Sequence, residues 1–252
     1  MSILQVTDSV KEKLIVALDV ETVGEARELF VKLREHAGMF KIGSQLFTAA
    51  GPGFVREIVR DDGRVFLDLK FHDIPNTVAA ASREAVRLGV SIFNVHAAGG
   101  GEMMRRAGEA TIEAAAKEGI TKPHLIAVTV LTSSTAATLA EIGVAASSME
   151  AQVTTLAQLA DKSGLDGVVA SPHEIAPVRK AVARTGFLIV TPGVRPAGIT
   201  HDDQKRVMTP TEAVATGADY IVVGRAILKA SDPARAAEEI VHQMQKAEGG
   251  RQ

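Results

Sequence analysis

Short runs of Val, Ile and Leu recur eight times along the sequence, separated by longer Ala-, Glu- and Arg-rich stretches with helical spacing. The runs are LIVALD (14–19), MFKIG (39–43), VFLDLK (65–70), IFNVH (92–96), LIAVTVLT (125–132), GVVAS (167–171), FLIVTPG (187–193) and YIVVG (220–224). Their length and β-branched content mark strands, and the apolar character of both faces marks strands covered on both sides. The stretches 22–37, 77–89, 102–119, 150–164, 174–186 and 232–247 have the spacing of helices, and several end at Gly, the residue suited to a left-handed cap. Strand–helix alternation of this kind gives a parallel sheet packed under helices. Eight units in 252 residues fit a single-domain α/β fold, a (β/α)8 TIM barrel. Its core is expected at about 13–229, followed by a C-terminal helix at about 232–247 and a disordered tail. An open doubly wound sheet would normally carry a Gly-rich turn after the first strand, and ALDVET has none. Residues 133–149 are the least regular and are expected to form a loop with a short helix.

Composition narrows the function classes. With 46% hydrophobic and 23% charged residues the chain suits a soluble globular protein. A net charge of −2, a single Tyr and no Trp argue against a basic, aromatic-studded nucleic-acid face. The absence of Cys excludes disulfides, thiolate catalysis and Cys-based zinc sites. The N-terminal MSILQVTDSVKEKL lacks the pattern of a secretory signal, and no apolar segment approaches membrane-spanning length, so a cytoplasmic location is expected.

In a barrel of this kind the chemistry gathers at the C-terminal strand ends. Those ends hold Asp19, Lys41, Asp68 with Lys70, Asn94 with His96, Thr132, Ser171, Pro192-Gly193 and Gly224-Arg225. In FLDLKFHDIPNT (66–77), strand alternation places Asp68 and Lys70 on the face opposite Leu67 and Leu69. Burying unneutralised charge costs several kcal/mol, so chance placement is a poor explanation. Carboxylates beside Lys70 keep its ammonium charged, which argues for a fixed cation and proton donor and against a Schiff base. Asp68, His72, Asp73 and His96 would be metal ligands only if they converged. The cation of Lys70 opposes that, His72 lies off the parity of Asp68, and His96 reads as a hydrogen-bonded barrel-end residue. Asp73, just before Ile74-Pro75, reads on local grounds as an acidic residue favouring a helix N-terminus. VVGRAI (222–227) sets a glycine and Arg225 at a helix start after the last strand, where barrels often bind phosphate. TPGVRPAGITHDDQKR (191–206), with Arg195, forms a long polar loop suited to closing over that phosphate.

Taken together these residues resemble the orotidine 5′-phosphate decarboxylase family of the bacterial type. DLKFHDIPNT looks like its Asp-x-Lys-x-x-Asp signature followed by Ile-Pro-Asn-Thr. ALDV, FKIG, NVHAAGG, VLTS, TPGVRPAG with a downstream Asp-Gln, and VVGRAI follow in family order, from about 13 to 229, with no departure at a functional position. The resemblance implies that Lys70 protonates the pyrimidine carbon that loses CO2 and that Asp68 sits beside the scissile carboxylate. It implies that Asp19 and Lys41 contact the ribose, Lys41 also joining the charge network, and that Thr132 lies near the pyrimidine. It further implies that Gln204 bridges from the loop, that Gly224, Arg225 and Arg195 hold the phosphate, and that Asp73, with Thr77, reaches a neighbouring subunit's site in a homodimer. No cofactor or metal is implied. The nearest rivals are 3-keto-gulonate-phosphate decarboxylase and hexulose-phosphate synthase, which share the Asp-x-Lys-x-x-Asp layout but depend on magnesium. A non-catalytic sugar-phosphate binder would be expected to have lost the lysine or an aspartate, and every such position is filled.

Overall fold

The computed structural model describes residues 9–145, 148–196 and 208–249. Eight parallel strands close in chain order: β1 (Leu14–Ala17), β2 (Met39–Gly43), β3 (Val65–Phe71), β4 (Ile92–His96), β5 (His124–Val128), β6 (Gly167–Val169), β7 (Leu188–Pro192) and β8 (Tyr220–Val223). Leu14 of β1 lies opposite Ile221 of β8, so the sheet has no free edge. The fold is the TIM barrel that the alternation predicts.

Around it lie α1 (Val23–Leu33), α2 (Ser44–Arg60), α3 (Pro75–Arg87), α4 (Gly100–Glu118), α5 (Ala136–Glu141), α6 (Met149–Lys162), α7 (Ile175–Ala181), α8 (Pro210–Thr216), α9 (Arg225–Leu228) and α10 (Pro233–Gly249). Strand side chains divide into two cores. Ile15, Met39, Phe66, Ile92, Ile126, Val190 and Val222 fill the barrel interior. Leu14, Val16, Phe40, Val65, Leu67 and Phe93 face outward onto helix residues such as Phe30, Phe54, Met104 and Ile240. Each fully buried side chain of this size stabilises the fold by about 1.5–3 kcal/mol, which explains strands apolar on both faces.

Two carboxylates tie the N-terminal face of the barrel. Asp166 accepts the Leu125 N–H at 2.8 Å, and Asp219 accepts the Ile189 N–H at 2.6 Å. Charge at that end therefore secures strands, as expected for the face remote from the chemistry.

Several local expectations change. β5 ends at Val128 instead of running to 132: Thr129 turns both its N–H and its hydroxyl onto the Val169 carbonyl, at 3.2 and 2.9 Å, and the chain leaves the sheet. The segment of α2 is not among the helical stretches marked by sequence spacing. Gly51, at φ 65°, breaks the helix into two halves, and Pro52 follows in the second half's first turn, where its missing N–H costs nothing. Within 133–149, α5 is the expected short helix, its start capped by the Thr135 hydroxyl accepting the Thr138 N–H at 3.2 Å. The last helix runs to Gly249, past the expected end, and the tail from 250 lies outside the described residues.

β3 departs most from regular pairing. Leu67 lies opposite Phe93 and Phe71 opposite Val95, so Asp68, Leu69 and Lys70 together face the single residue Asn94. Lys70 takes the left-handed backbone conformation, φ 54°. Non-glycine residues adopt it at a cost of about 1–2 kcal/mol, and bulges of this kind re-aim side chains beside active sites.

Candidate active site

The bulge and the strand ends beside it gather a chain of alternating charges. Asp19, just past β1, accepts a hydrogen bond from the Lys41 ammonium at 2.9 Å. Lys41 lies 3.5 Å from Asp68, and Asp68 accepts from the Lys70 ammonium at 2.7 Å. The Lys41 and Asp68 side chains are only 11% and 13% exposed, so neither charge has much water to solvate it. Each is stable because an opposite charge lies on either side; stripping one partner from such a pair costs about 3–5 kcal/mol. Alternation along β3 was expected to place Asp68 and Lys70 on one face. The two do meet, but the bulge and the turned backbone of Lys70 bring them together, not a regular pleat.

Two residues essential to this geometry had no assigned role in the sequence reading. Asn94, fully buried on β4, accepts the Lys70 backbone N–H through Oδ1 at 2.8 Å and donates through Nδ2 to Asp68 at 2.7 Å. Its signal was present in IFNVH: Asn94 shares strand parity with interior Ile92, and a polar side chain inside a barrel needs partners. Gly43 ends β2 under the first ion pair; a Cβ there would lie 3.1 Å from the Lys41 ammonium nitrogen and 3.4 Å from the Asp19 carboxylate. A glycine closing the strand two residues after Lys41 was its only trace.

Two adjoining cavities open on these charges. The first, of about 160 Å³, is lined by Lys41, Asp68, Lys70 and Thr132 together with Phe66, Val128, Val130, Leu131, Val169 and Val222. Its lining is mostly apolar with a few charged groups, the make-up of a small-molecule site. The second, of about 200 Å³, is lined by Asp19, Lys41, Gly193, Arg195, Gly224 and Arg225. Lys41, Pro192 and Val222 line both, so they form one trough, apolar at one end and cationic at the other. Arg195 is buried, its backbone N–H bonded to the Met208 carbonyl at 3.0 Å, and Arg225 opens α9 directly after β8. The leading N–H groups of a helix lack intrahelical acceptors, so this end of the trough suits an anion.

The structure thus brings together Asp19, Lys41, Asp68, Lys70, Thr132, Arg195, Gly224 and Arg225. Gln204 and most of the loop carrying it lie outside the described residues. Asp73 and Thr77 stand apart. Both are exposed, Thr77 in the first turn of α3, and Asp73 accepts the N–H of the adjacent Ile74 at 2.6 Å. The N-cap of α3 is Ile74, with no side-chain cap bond, so Asp73 is not the capping residue. Among the described residues Asp73 makes no ion pair with either lysine, and Ile74 beside it is 67% exposed.

His96 was expected to be hydrogen-bonded. Its ring instead lies 5.6 Å from that of His72, with no side-chain hydrogen bond among the described residues. Asp68, His72, Asp73 and His96 do not converge into a group that could hold a metal ion. Burial, then the neighbouring His72 and Lys70, push the His96 pKa below its ordinary value of 6.5, opposed by Asp68. The unfolded chain therefore binds the proton more readily than the folded one, so His96 costs stability as pH falls through about 6.5 toward its lower folded pKa. His96→Gln is expected to shrink the drop in melting temperature between pH 7.5 and 5.5; parallel pH slopes for the two proteins would refute this.

The chain matches the family model described as the Orotidine 5'-phosphate decarboxylase / HUMPS family over residues 12–240. It is 55% identical to the orotidine 5'-phosphate decarboxylase of Geobacter sulfurreducens, over 94% of this chain and 98% of that protein. It is 52% identical to the orotidine 5'-phosphate decarboxylase of Geotalea uraniireducens, over 96% and 99%. The crystal structure of orotidine 5'-phosphate decarboxylase from Lactobacillus acidophilus superposes with a TM-score of 0.81 at 38% identity, covering 92% of this chain and 98% of that one. A family model spanning the whole barrel and half-identical relatives of the same length agree, and the chain belongs to the orotidine 5'-phosphate decarboxylase / HUMPS family.

Proposed function

We propose that the protein decarboxylates orotidine 5′-phosphate to uridine 5′-phosphate, the last step of UMP synthesis, by direct loss of CO2 without a metal. The observation that carries the mechanism is the Lys70 ammonium, held 2.7 Å from Asp68 at the wall of an apolar cavity. The trough's shape supports the substrate. A pyrimidine fits the apolar end near Thr132, a ribose lies by Asp19 and Lys41, and a phosphate reaches Arg195, Gly224 and Arg225. Gln204, outside the described residues, is assigned the bridge from the loop that the family resemblance implies.

In the reaction the bond between the ring carbon and the carboxylate breaks, CO2 departs, and the electron pair stays on the ring carbon. That carbanion has no adjacent carbonyl placed to absorb it. A fixed ammonium stabilises the developing charge and then gives up a proton to the same carbon, leaving a neutral lysine that regains its proton from water. Asp68 keeps Lys70 charged and aimed. Contacts to ribose and phosphate, remote from the reacting carbon, supply binding energy for alignment.

The active form is proposed to be a cytoplasmic homodimer, each chain a single domain. Exposed Asp73 and Thr77, next to an exposed Ile74, support a partner-facing segment that completes the neighbouring site. No helix among the described residues is long and apolar enough to cross a membrane. The test is the fall in ultraviolet absorbance of orotidine 5′-phosphate with the purified protein in excess chelator. Turnover is expected to persist. A folded protein inert toward this substrate would overturn the proposal. Activity only on a keto-sugar phosphate, and only with magnesium, would place the protein with the hexulose-phosphate enzymes of the same superfamily.

A further inference from the structure

From the geometry of β3 and β4 we infer that Asn94 is a positioning residue for the reaction, its one amide fixing both the backbone that aims Lys70 and the carboxylate that pairs with it. The inference rests on the proposed role of Lys70 as proton donor. The bulge gives Lys70 a left-handed backbone, φ 54°, a conformation that a lysine does not hold without outside support. The bulge also takes the Lys70 N–H out of regular β-ladder pairing, and Asn94 Oδ1 accepts it at 2.8 Å. The other end of the same amide, Nδ2, donates to Asp68 Oδ1 at 2.7 Å, the oxygen that also accepts from the Lys70 ammonium. Asp68, Lys70 and Asn94 thus form a closed ring of hydrogen bonds. Asn94 is fully buried, so its removal takes from the Lys70 N–H and from Asp68 a partner held inside the protein. Both a donor and an acceptor are needed at this one position, which an amide supplies and an ionised carboxylate or an apolar side chain does not.

Three measurements test the assignment: kcat, binding of uridine 5′-phosphate, and the pH profile, each on protein whose fold is checked by melting temperature and circular dichroism. Asn94→Ala leaves the Lys70 N–H without its acceptor and Asp68 with only its two ammonium partners, so the turned backbone that aims Lys70 loses its support and kcat is expected to fall about 100-fold, the scale of a small misplacement of a reacting group. Binding of uridine 5′-phosphate should change only a few-fold, because ribose and phosphate contacts lie elsewhere in the trough. Asn94→Asp keeps the shape but sets a second carboxyl against Asp68. While protonated it can donate to Asp68; once ionised it repels it, and two carboxylates at this distance raise the pKa of one. The kcat of Asn94→Asp is therefore expected to fall as pH rises from 5.5 to 8.5, with no such fall in the unsubstituted protein. A residue that merely filled space would not introduce an ionisation into kcat. If Asn94→Ala does not fold, the pH profile of Asn94→Asp decides. Unchanged kcat in folded Asn94→Ala, equal losses in kcat and nucleotide binding, or a flat Asn94→Asp profile would each overturn the inference. Lys70→Ala separates the two ideas. If it still turns over, the role of Lys70 fails and takes this inference with it; if it is dead while both Asn94 variants behave like the parent, only the inference about Asn94 fails.

Discussion

Lys70→Ala is expected to lower kcat by about 10⁴-fold or more, while uridine 5′-phosphate still binds within a few-fold of its parent affinity. Two effects combine at one atom. A preorganised charge at a developing anion contributes about 10²–10³, and a positioned proton donor about 10²–10⁴. Water does not reproduce either effect, because neither its charge nor its proton is fixed at the reacting carbon as the Lys70 ammonium is by Asp68. The fold should survive, since Asp68 keeps Lys41 at 3.5 Å and the Asn94 amide at 2.7 Å. The backbone supplies an unusual control. At φ 54°, Lys and Ala carry the same steric penalty and Gly carries none. Lys70→Gly is therefore expected to be as inactive as Lys70→Ala yet to melt higher, the reverse of the usual order for Gly and Ala inside a strand. Stopped turnover assays and thermal melts on the two variants check both halves. Measurable turnover near the parent rate would remove Lys70 from the chemistry, and a lower melting temperature for the Gly variant would remove the strain.

The barrel was legible because its signal is redundant. Eight apolar runs at regular spacing survive errors in any one of them, and β2 and β4 fall on the residues that periodicity marks. Boundaries were legible only where the chain's polarity changes with its hydrogen bonding. β5 was expected to run on through Val130 and Leu131 because both are apolar, but these two line the cavity instead of joining the ladder. α2 was hidden by Gly51 and Pro52, which break one helix pattern without ending the helical segment. At the site, charge at strand ends pointed to Asp19, Lys41, Asp68 and Lys70, because unpaired charge near a core is costly and so rarely accidental. Asn94 stood among the strand-end residues without a role: a buried neutral amide signals its need for partners more weakly than a buried charge does, and which partners it meets depends on a bulge that strict alternation cannot foresee. Asp73 marks a different boundary. Its place beyond the strand and its exposure say nothing local about chemistry, and only the family resemblance assigns it a role.

Mixing Asp73→Asn with Arg225→Ala provides the decisive measurement of that role. Asp73→Asn alone is expected to lose about 100-fold or more in turnover, as removal of a fixed charge near a reacting centre does. Arg225→Ala alone should lose about 10- to 100-fold in kcat/KM, because a charge-assisted contact to phosphate contributes about 1.5–3 kcal/mol. If Asp73 serves the neighbouring chain, a mixed dimer has one site with both defects and one with neither. Random re-pairing of equal amounts makes half the dimers mixed, so about a quarter of all sites, and of parent activity, should return. If Asp73 served its own chain, every site in every dimer would keep one defect and nothing would return. Ile74, 67% exposed beside Asp73, gives a second probe of the same segment, because it lies free to meet a partner surface. Ile74→Asp should therefore weaken the dimer in sedimentation and abolish the recovery in the mixture. Recovery in a mixture of chains shown to remain monomeric would contradict the shared site as directly as no recovery in mixed dimers.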